Sequence, residues 1–187
     1  MTVVNFKHDT RISDSDRGIL REFTSELGGD PVHLAHRLGL KVFEENLHES
    51  VSGFIQFDET CGSDSGYKVV LNSVHSVARK KFTLAHELGH FVLHRNSDHF
   101  LEDKKRSAEI FDFASGYRSG DGWDYSQDFP KAFEREADVF AANVLLPANL
   151  LRKTAEFIEG TPASLARRLD LSVPFVARRF EEVRFEA

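Results

Sequence analysis

At 187 residues the chain is long enough to bury one sizeable core with an appendage, which bounds it to one domain or at most two. Its 41% hydrophobic and 29% charged residues are those of a soluble globular protein, and a formal charge of −6 argues against broad electrostatic attraction to nucleic acid while leaving a local basic patch open. The single cysteine, Cys61, excludes an intrachain disulfide framework and a cysteine-built zinc centre. No charged leader with an apolar run and cleavage site opens the chain, and no run of about 18 apolar residues occurs, so a cytoplasmic location without membrane insertion is expected.

In chain order, the first residues are polar and broken by Asp14, Ser15, Asp16 and Gly18. Ile19, Leu20, Phe23 and Leu27 then share helical spacing before Gly28 and Gly29 stop them. Pro31 suits the start of a second helix, through about Arg37 and closed by Gly39. Leu40 and Val42, then Val51 to Phe57, read as two strands joined by a polar turn at 44–50, and Tyr67–Asn72 reads as a third. Such a sheet can bind an extended peptide along an edge strand. Which strand lies at the edge is not legible at this level. Cys61 falls in a turn-rich stretch and reads as an incidental loop thiol.

A helix is predicted over about Ser76–Arg95, with Leu84, Ala85, Leu88, Phe91 and Val92 on its apolar side. It carries His86-Glu87-Leu88-Gly89-His90, an H-E-x-x-H arrangement. Residues four apart lie on one helical face, about 6 Å apart in rise, so His86 and His90 can direct two imidazoles at one ion while Glu87 leans to the same side. That set suits zinc, with the glutamate placed to take a proton from a zinc-bound water that attacks a carbonyl. His94 extends the stripe but is about 12 Å along the axis from His86, too far for one ion to take all three. The 86/90 pair encloses a glutamate and the 90/94 pair encloses Phe91, so His94 is read as a helix-end packing or hydrogen-bonding residue. Gly89 lies mid-helix at a cost of about 1 kcal/mol against alanine, which suggests that a strand or a substrate passes close to the backbone.

A zinc site of this type needs a third protein ligand. A second helical stripe, through residues 133, 137, 140, 144 and 145, begins near Pro130 and is ended by Pro147. Beside it Glu134 can coordinate a metal, and Asp138, one turn later, can accept a hydrogen bond from the far nitrogen of a histidine ligand. Glu136 points elsewhere. Between the motifs, 96–128 is first charged, then rich in aromatics and glycines. It reads as a flap over the cleft or as ordinary loop anchors. Tyr117, Tyr125 and upstream His75 are candidates for stabilising an oxyanion. The tail reads as helices, one starting at Thr161-Pro162 and another capped by Ser172. Arg167, Arg168, Arg178 and Arg179 on it could touch phosphates, but arginines on the solvent side of a helical hairpin need no DNA to explain them, and DNA contact is the disfavoured reading.

The two segments Arg79–His94 and Glu134–Pro147, with Asn72 and the strand before it, resemble the ImmA/IrrE family of zinc metallopeptidases. The resemblance covers about residues 30–150. It implies one zinc per chain held by His86, His90 and Glu134, Glu87 as catalytic base, and an α+β, minimal gluzincin-like fold in which the zinc helix packs beside a small sheet. On this reading, 1–29 is an N-terminal extension with a short helix, 30–150 the metallopeptidase domain and 151–187 a C-terminal helical segment. The 43 residues between His90 and Glu134 exceed what compact members have, so about 96–128 is read as an insertion. The resemblance also implies cleavage of a specific protein partner, a helix-turn-helix repressor of the Xre type encoded nearby, in some cases within toxin–antitoxin-like operons. The rival readings are a catalytically silent, zinc-stabilised interaction module and, less favoured, a DNA-binding regulator.

Overall fold

The computed structural model describes residues 8–98, 100, 101 and 129–185. Helix α1 spans Asp14–Phe23, with the Ser13 side chain accepting from the Asp16 backbone N–H. The polar residues 14–16, which read as breakers in the sequence, form its first turn. A serine cap followed by acidic groups satisfies the free N–H groups and suits the positive end of the helix dipole. Helix α2, Pro31–Arg37, is capped by Asp30, and Gly39 turns the chain out of it at φ 82°.

Strands β1 (Lys41–Glu45), β2 (Gly53–Phe57) and β3 (Tyr67–Asn72) form a sheet of order β1-β3-β2. The first two strands are consecutive but not partners, because β3 lies between them. It runs parallel to β1, from Lys41 opposite Lys68 to Glu45 opposite Asn72, and antiparallel to β2, from Gly53 opposite Leu71 to Phe57 opposite Tyr67. Neighbouring strands pair both edges of β3, and successive Val69, Val70, Leu71 and Asn72 are all buried, so both of its faces are covered as well. The buried Asn72 amide donates to the carbonyls of Leu47, His48 and Val51, which pins the loop between β1 and β2.

Helix α3, Val77–His94, is capped by Ser76 and carries the H-E-x-x-H segment. Helix α4, Lys131–Leu145, carries Glu134 and Asp138. Four helices follow: α5 (Ala148–Leu151), α6 (Ala155–Glu159), α7 (Pro162–Leu169) and α8 (Val173–Phe185). Two apolar clusters meet on α3 and α4. One joins the sheet residues Ile55, Val69 and Leu71 to Leu20 of α1, Leu34 of α2 and Leu84, Leu88 and Phe140 of the motif helices. The other joins Ala85, Ala141 and Leu145 to Leu165, Val176 and Phe180 of the tail. Both the N-terminal helix and the C-terminal segment therefore share core with the motif helices. Among the described residues no helix is long and apolar enough to cross a membrane.

What passes close to Gly89 is neither a strand nor a substrate but α4. A Cβ at Gly89 would lie 3.0 Å from the Ala137 Cα, 3.1 Å from the Phe140 Cβ and 3.2 Å from the Ala137 oxygen. The absent side chain lets the two motif helices meet backbone to backbone, which sets the spacing of everything they carry.

Candidate metal centre

The helical spacing of α3 puts His86 and His90 on the face toward α4, and the first turn of α4 delivers Glu134 to them. The two imidazole Nε2 atoms are 3.0 Å apart. His86 Nε2 is 3.3 Å from Glu134 Oε2, and His90 Nε2 is 3.2 Å from Glu134 Oε1. These three residues form a group whose ligand atoms all lie within 4.8 Å of one another, and among the described residues they are the cluster able to hold a metal ion. With metal–ligand lengths of about 2.0–2.1 Å, neighbouring ligands on a tetrahedron are about 3.3 Å apart. The three separations are close to that edge, with Glu134 meeting His86 and His90 through different oxygens, and two imidazoles with one carboxylate are a zinc-type donor set, so the residues fit the ion.

The surroundings orient each donor. Asp138, one turn beyond Glu134, is 2.9 Å from His86 Nδ1 and accepts its proton, leaving Nε2 as the metal-facing atom. His90 stacks on Phe129, ring centroids 4.0 Å apart at 16°. His94 is buried, as a helix-end packing and hydrogen-bonding residue should be: it stacks on Phe133 at 4.1 Å and 1°, and its Nε2 is 2.9 Å from Glu136 Oε2. Glu136 points away from the triangle and pairs also with Arg11, at 2.6 Å.

Glu87 is buried at 8% exposure beside the histidines and accepts a hydrogen bond from the Ile55 backbone N–H of β2. Burial pushes its carboxyl up, the His86 charge opposes and Glu134 adds to the rise, giving a pKa of about 7. For His86, burial works against the charged form, but the hydrogen bonds with Asp138 and Glu134 outweigh it and push the imidazole up to about 10. His90 goes the other way, down to about 4, because burial dominates the help from Glu134. Hydrogen bonds from both histidines hold Glu134 well below the usual carboxylate range even though burial opposes them.

His75 lies just ahead of the α3 N-cap, about 14 Å or more along the axis from His86 by the rise of a helix, and is not brought to the cluster. Tyr117 and Tyr125 lie outside the described residues, as does nearly all of the tract 96–128. The tail arginines are largely engaged within the chain. Arg168 pairs with Glu156 and Arg178 with Glu182, both from exposed positions, buried Arg179 donates to the Leu146 carbonyl and the Asn143 side chain, and Arg167 is exposed. Between α3, α4 and α8 lies a cavity of about 460 Å³ whose lining includes Arg79, Phe82, Asp138, Phe175 and Arg178. It adjoins the metal centre through Asp138.

Two features of the centre escape a reading of the sequence. The Arg11–Glu136 contact spans 125 positions, and the Ile55 N–H that meets Glu87 belongs to the backbone of a strand whose edge position no local pattern reveals.

A small mixed sheet packed on a helix with two histidines four apart, closed by a carboxylate from the next helix, defines an α+β domain with a centre able to hold a metal ion. The chain belongs to the family of the IrrE N-terminal-like domain, Peptidase_M78, whose profile matches residues 35–181. It is 28% identical over 182 residues to "Uncharacterized immunity region protein 2" of Bacillus phage phi105, a match covering 92% of this chain and 97% of that protein.

Proposed function

We propose that the protein is a zinc-dependent endopeptidase that cuts a dedicated protein partner, a helix-turn-helix repressor of the Xre type, inside the cell. The observation that carries this reading is the cluster of His86, His90 and Glu134 with a buried Glu87 beside it. Zinc held there supplies Lewis acidity, lowering the pKa of a water and polarising the scissile carbonyl. Glu87 takes the proton of the attacking water on its carboxylate and passes it to the leaving amine. A pKa of about 7 suits a group that must both accept and return a proton near neutrality. Asp138 holds His86 in one tautomer. Strand β2, an edge of the sheet, approaches the same glutamate through Ile55, so an extended peptide added along that side would lie across the centre.

Membership in this family supports the peptidase chemistry, and the phage relative, named for an immunity region, supports a regulatory setting. The cavity beside Asp138 and the tail helices supply contacts away from the scissile bond. Binding energy from such contacts can position one substrate and leave others uncut. The test is to incubate any helix-turn-helix regulator found encoded beside this gene with zinc-loaded wild type and with Glu87→Gln, mapping new termini by mass spectrometry. One discrete cut made by wild type alone supports the proposal. Comparable degradation of casein would overturn the narrow specificity, and a stable complex without a cut would replace the enzyme with an interaction module.

A further inference from the structure

His86 has an evident orienting partner in Asp138, whereas the other histidine of the triangle has, among the described residues, no carboxylate at its far nitrogen. His90 Nδ1 is instead 3.2 Å from His94 Nδ1, His94 Nε2 is 2.9 Å from Glu136 Oε2, and the same oxygen accepts from Arg11 at 2.6 Å. Arg11 is itself held by both oxygens of Asp9, at 3.0 and 2.7 Å. The proton positions along this line follow from one requirement. If His90 is to offer the lone pair of Nε2 to a metal, its proton must sit on Nδ1, and the atom facing Nδ1 must accept. His94 then carries no proton on Nδ1 and one on Nε2, which it donates to Glu136. Glu136 can hold that tautomer because a carboxylate only accepts, and Arg11, which only donates, keeps it ionised and pointed inward. Phe133 lies parallel to the His94 ring and Phe129 nearly parallel to the His90 ring, so neither can tilt out of line.

We propose that His94 is a positioning residue for the metal centre: backed by Glu136 and Arg11, it accepts the Nδ1 proton of His90 and so presents His90 Nε2 to the ion. The inference rests on the reading of His86, His90 and Glu134 as metal ligands. It gives the second histidine what Asp138 gives the first, by a longer route that starts in the segment before α1. Nothing in the local pattern marks it, since Arg11 and Glu136 lie 125 positions apart.

Substitutions at His94 separate this role from packing. His94→Asn puts an acceptor oxygen where Nδ1 stands but removes the ring from Phe133; His94→Gln keeps a polar group near the Nε2 position, facing Glu136; His94→Phe keeps the stack and loses both hydrogen bonds. A residue that only fills space is replaced best by phenylalanine and worst by asparagine. A residue that accepts the His90 proton is replaced best by asparagine. The experiment measures the zinc Kd of each variant by competition with a chromophoric chelator, alongside the thermal midpoint of the metal-free protein. The expected result is a Kd within about threefold of wild type for His94→Asn and weakened about 10-fold to 100-fold for His94→Phe and His94→Gln, the usual range for outer partners of metal ligands. Should the His94 variants fold poorly, Glu136→Ala, at a half-buried position of α4, is expected to weaken zinc binding about tenfold. Zinc affinities that follow packing, with His94→Phe equal to wild type and His94→Asn weakest, would overturn the proposal, as would an unchanged Kd in Glu136→Ala. Failure of wild type itself to bind zinc would remove the metal reading and this inference with it, an outcome distinct from wild-type binding with packing-ordered variants.

Discussion

Gly89→Ala asks whether the close crossing of α3 and α4 sets the geometry of the metal centre. The added Cβ would face the Ala137 Cα at 3.0 Å, the Phe140 Cβ at 3.1 Å and the Ala137 oxygen at 3.2 Å. Carbon–carbon contacts prefer about 3.5–4.0 Å, so the shortfall is about half an ångström. Two of the three obstructing atoms belong to helix backbone and cannot rotate aside, which leaves movement of α4 as the route to relief. Alanine gains about 1 kcal/mol of helix propensity over glycine. Overpacking of a tight core contact costs about 1–3 kcal/mol, so the net effect is a loss of about 0–2 kcal/mol. Glu134 and Asp138 sit within one turn of Ala137, and the ligand edges of 3.0–3.3 Å shift with them. A displacement of about 0.5 Å is at the limit that such constellations tolerate, and zinc affinity should fall about tenfold or more. Chelator competition and thermal unfolding of the metal-free protein, side by side, give both quantities. A variant that melts higher than wild type with unchanged zinc affinity would show that propensity outweighs the contact and would refute the reasoning.

Asp138→Ala should weaken zinc binding about 10-fold to 100-fold, because it removes the acceptor that fixes the His86 tautomer. Asp138→Asn, which keeps an acceptor, should lose less, and an unchanged Kd in the alanine variant would contradict the role. Zinc binding at pH 8 should release about one proton per ion. His86, held up to about 10 by Asp138 and Glu134 against the effect of burial, still carries a proton there, whereas His90 at about 4 has already lost its own. Affinity therefore rises with pH until it passes the His86 value. Calorimetric titration in buffers of different ionisation enthalpy counts the protons, and none released at pH 8, as for an ordinary histidine near 6.5, would contradict the shift.

How far the sequence reads the structure depends on how local each feature is. The motif helices are legible because caps, prolines and helical spacing act within a few residues: Ser76 and Pro147 stand where the expected boundaries lie, and spacing alone puts His86, His90 and the intervening Glu87 on one side of α3. Ser13 is a cap that a stretch of polar residues conceals, so the acidic turn after it reads as a break. Strand order is hidden because a polar turn between two strands looks the same whether they pair or admit a third between them. Gly89 signals a close approach without naming the neighbour, which only the crossing of α4 identifies. The line from Arg11 through Glu136 and His94 to His90 depends on four side chains from three distant segments, and no periodicity encodes it.

Crystals of the zinc-loaded protein, measured at and below the zinc absorption edge, test the metal centre most directly. The account predicts one anomalous peak per chain, about 2.0–2.1 Å from His86 Nε2, His90 Nε2 and a Glu134 carboxylate oxygen. The absence of a peak there in zinc-saturated crystals, or a peak bridging His90 and His94 instead, would contradict it.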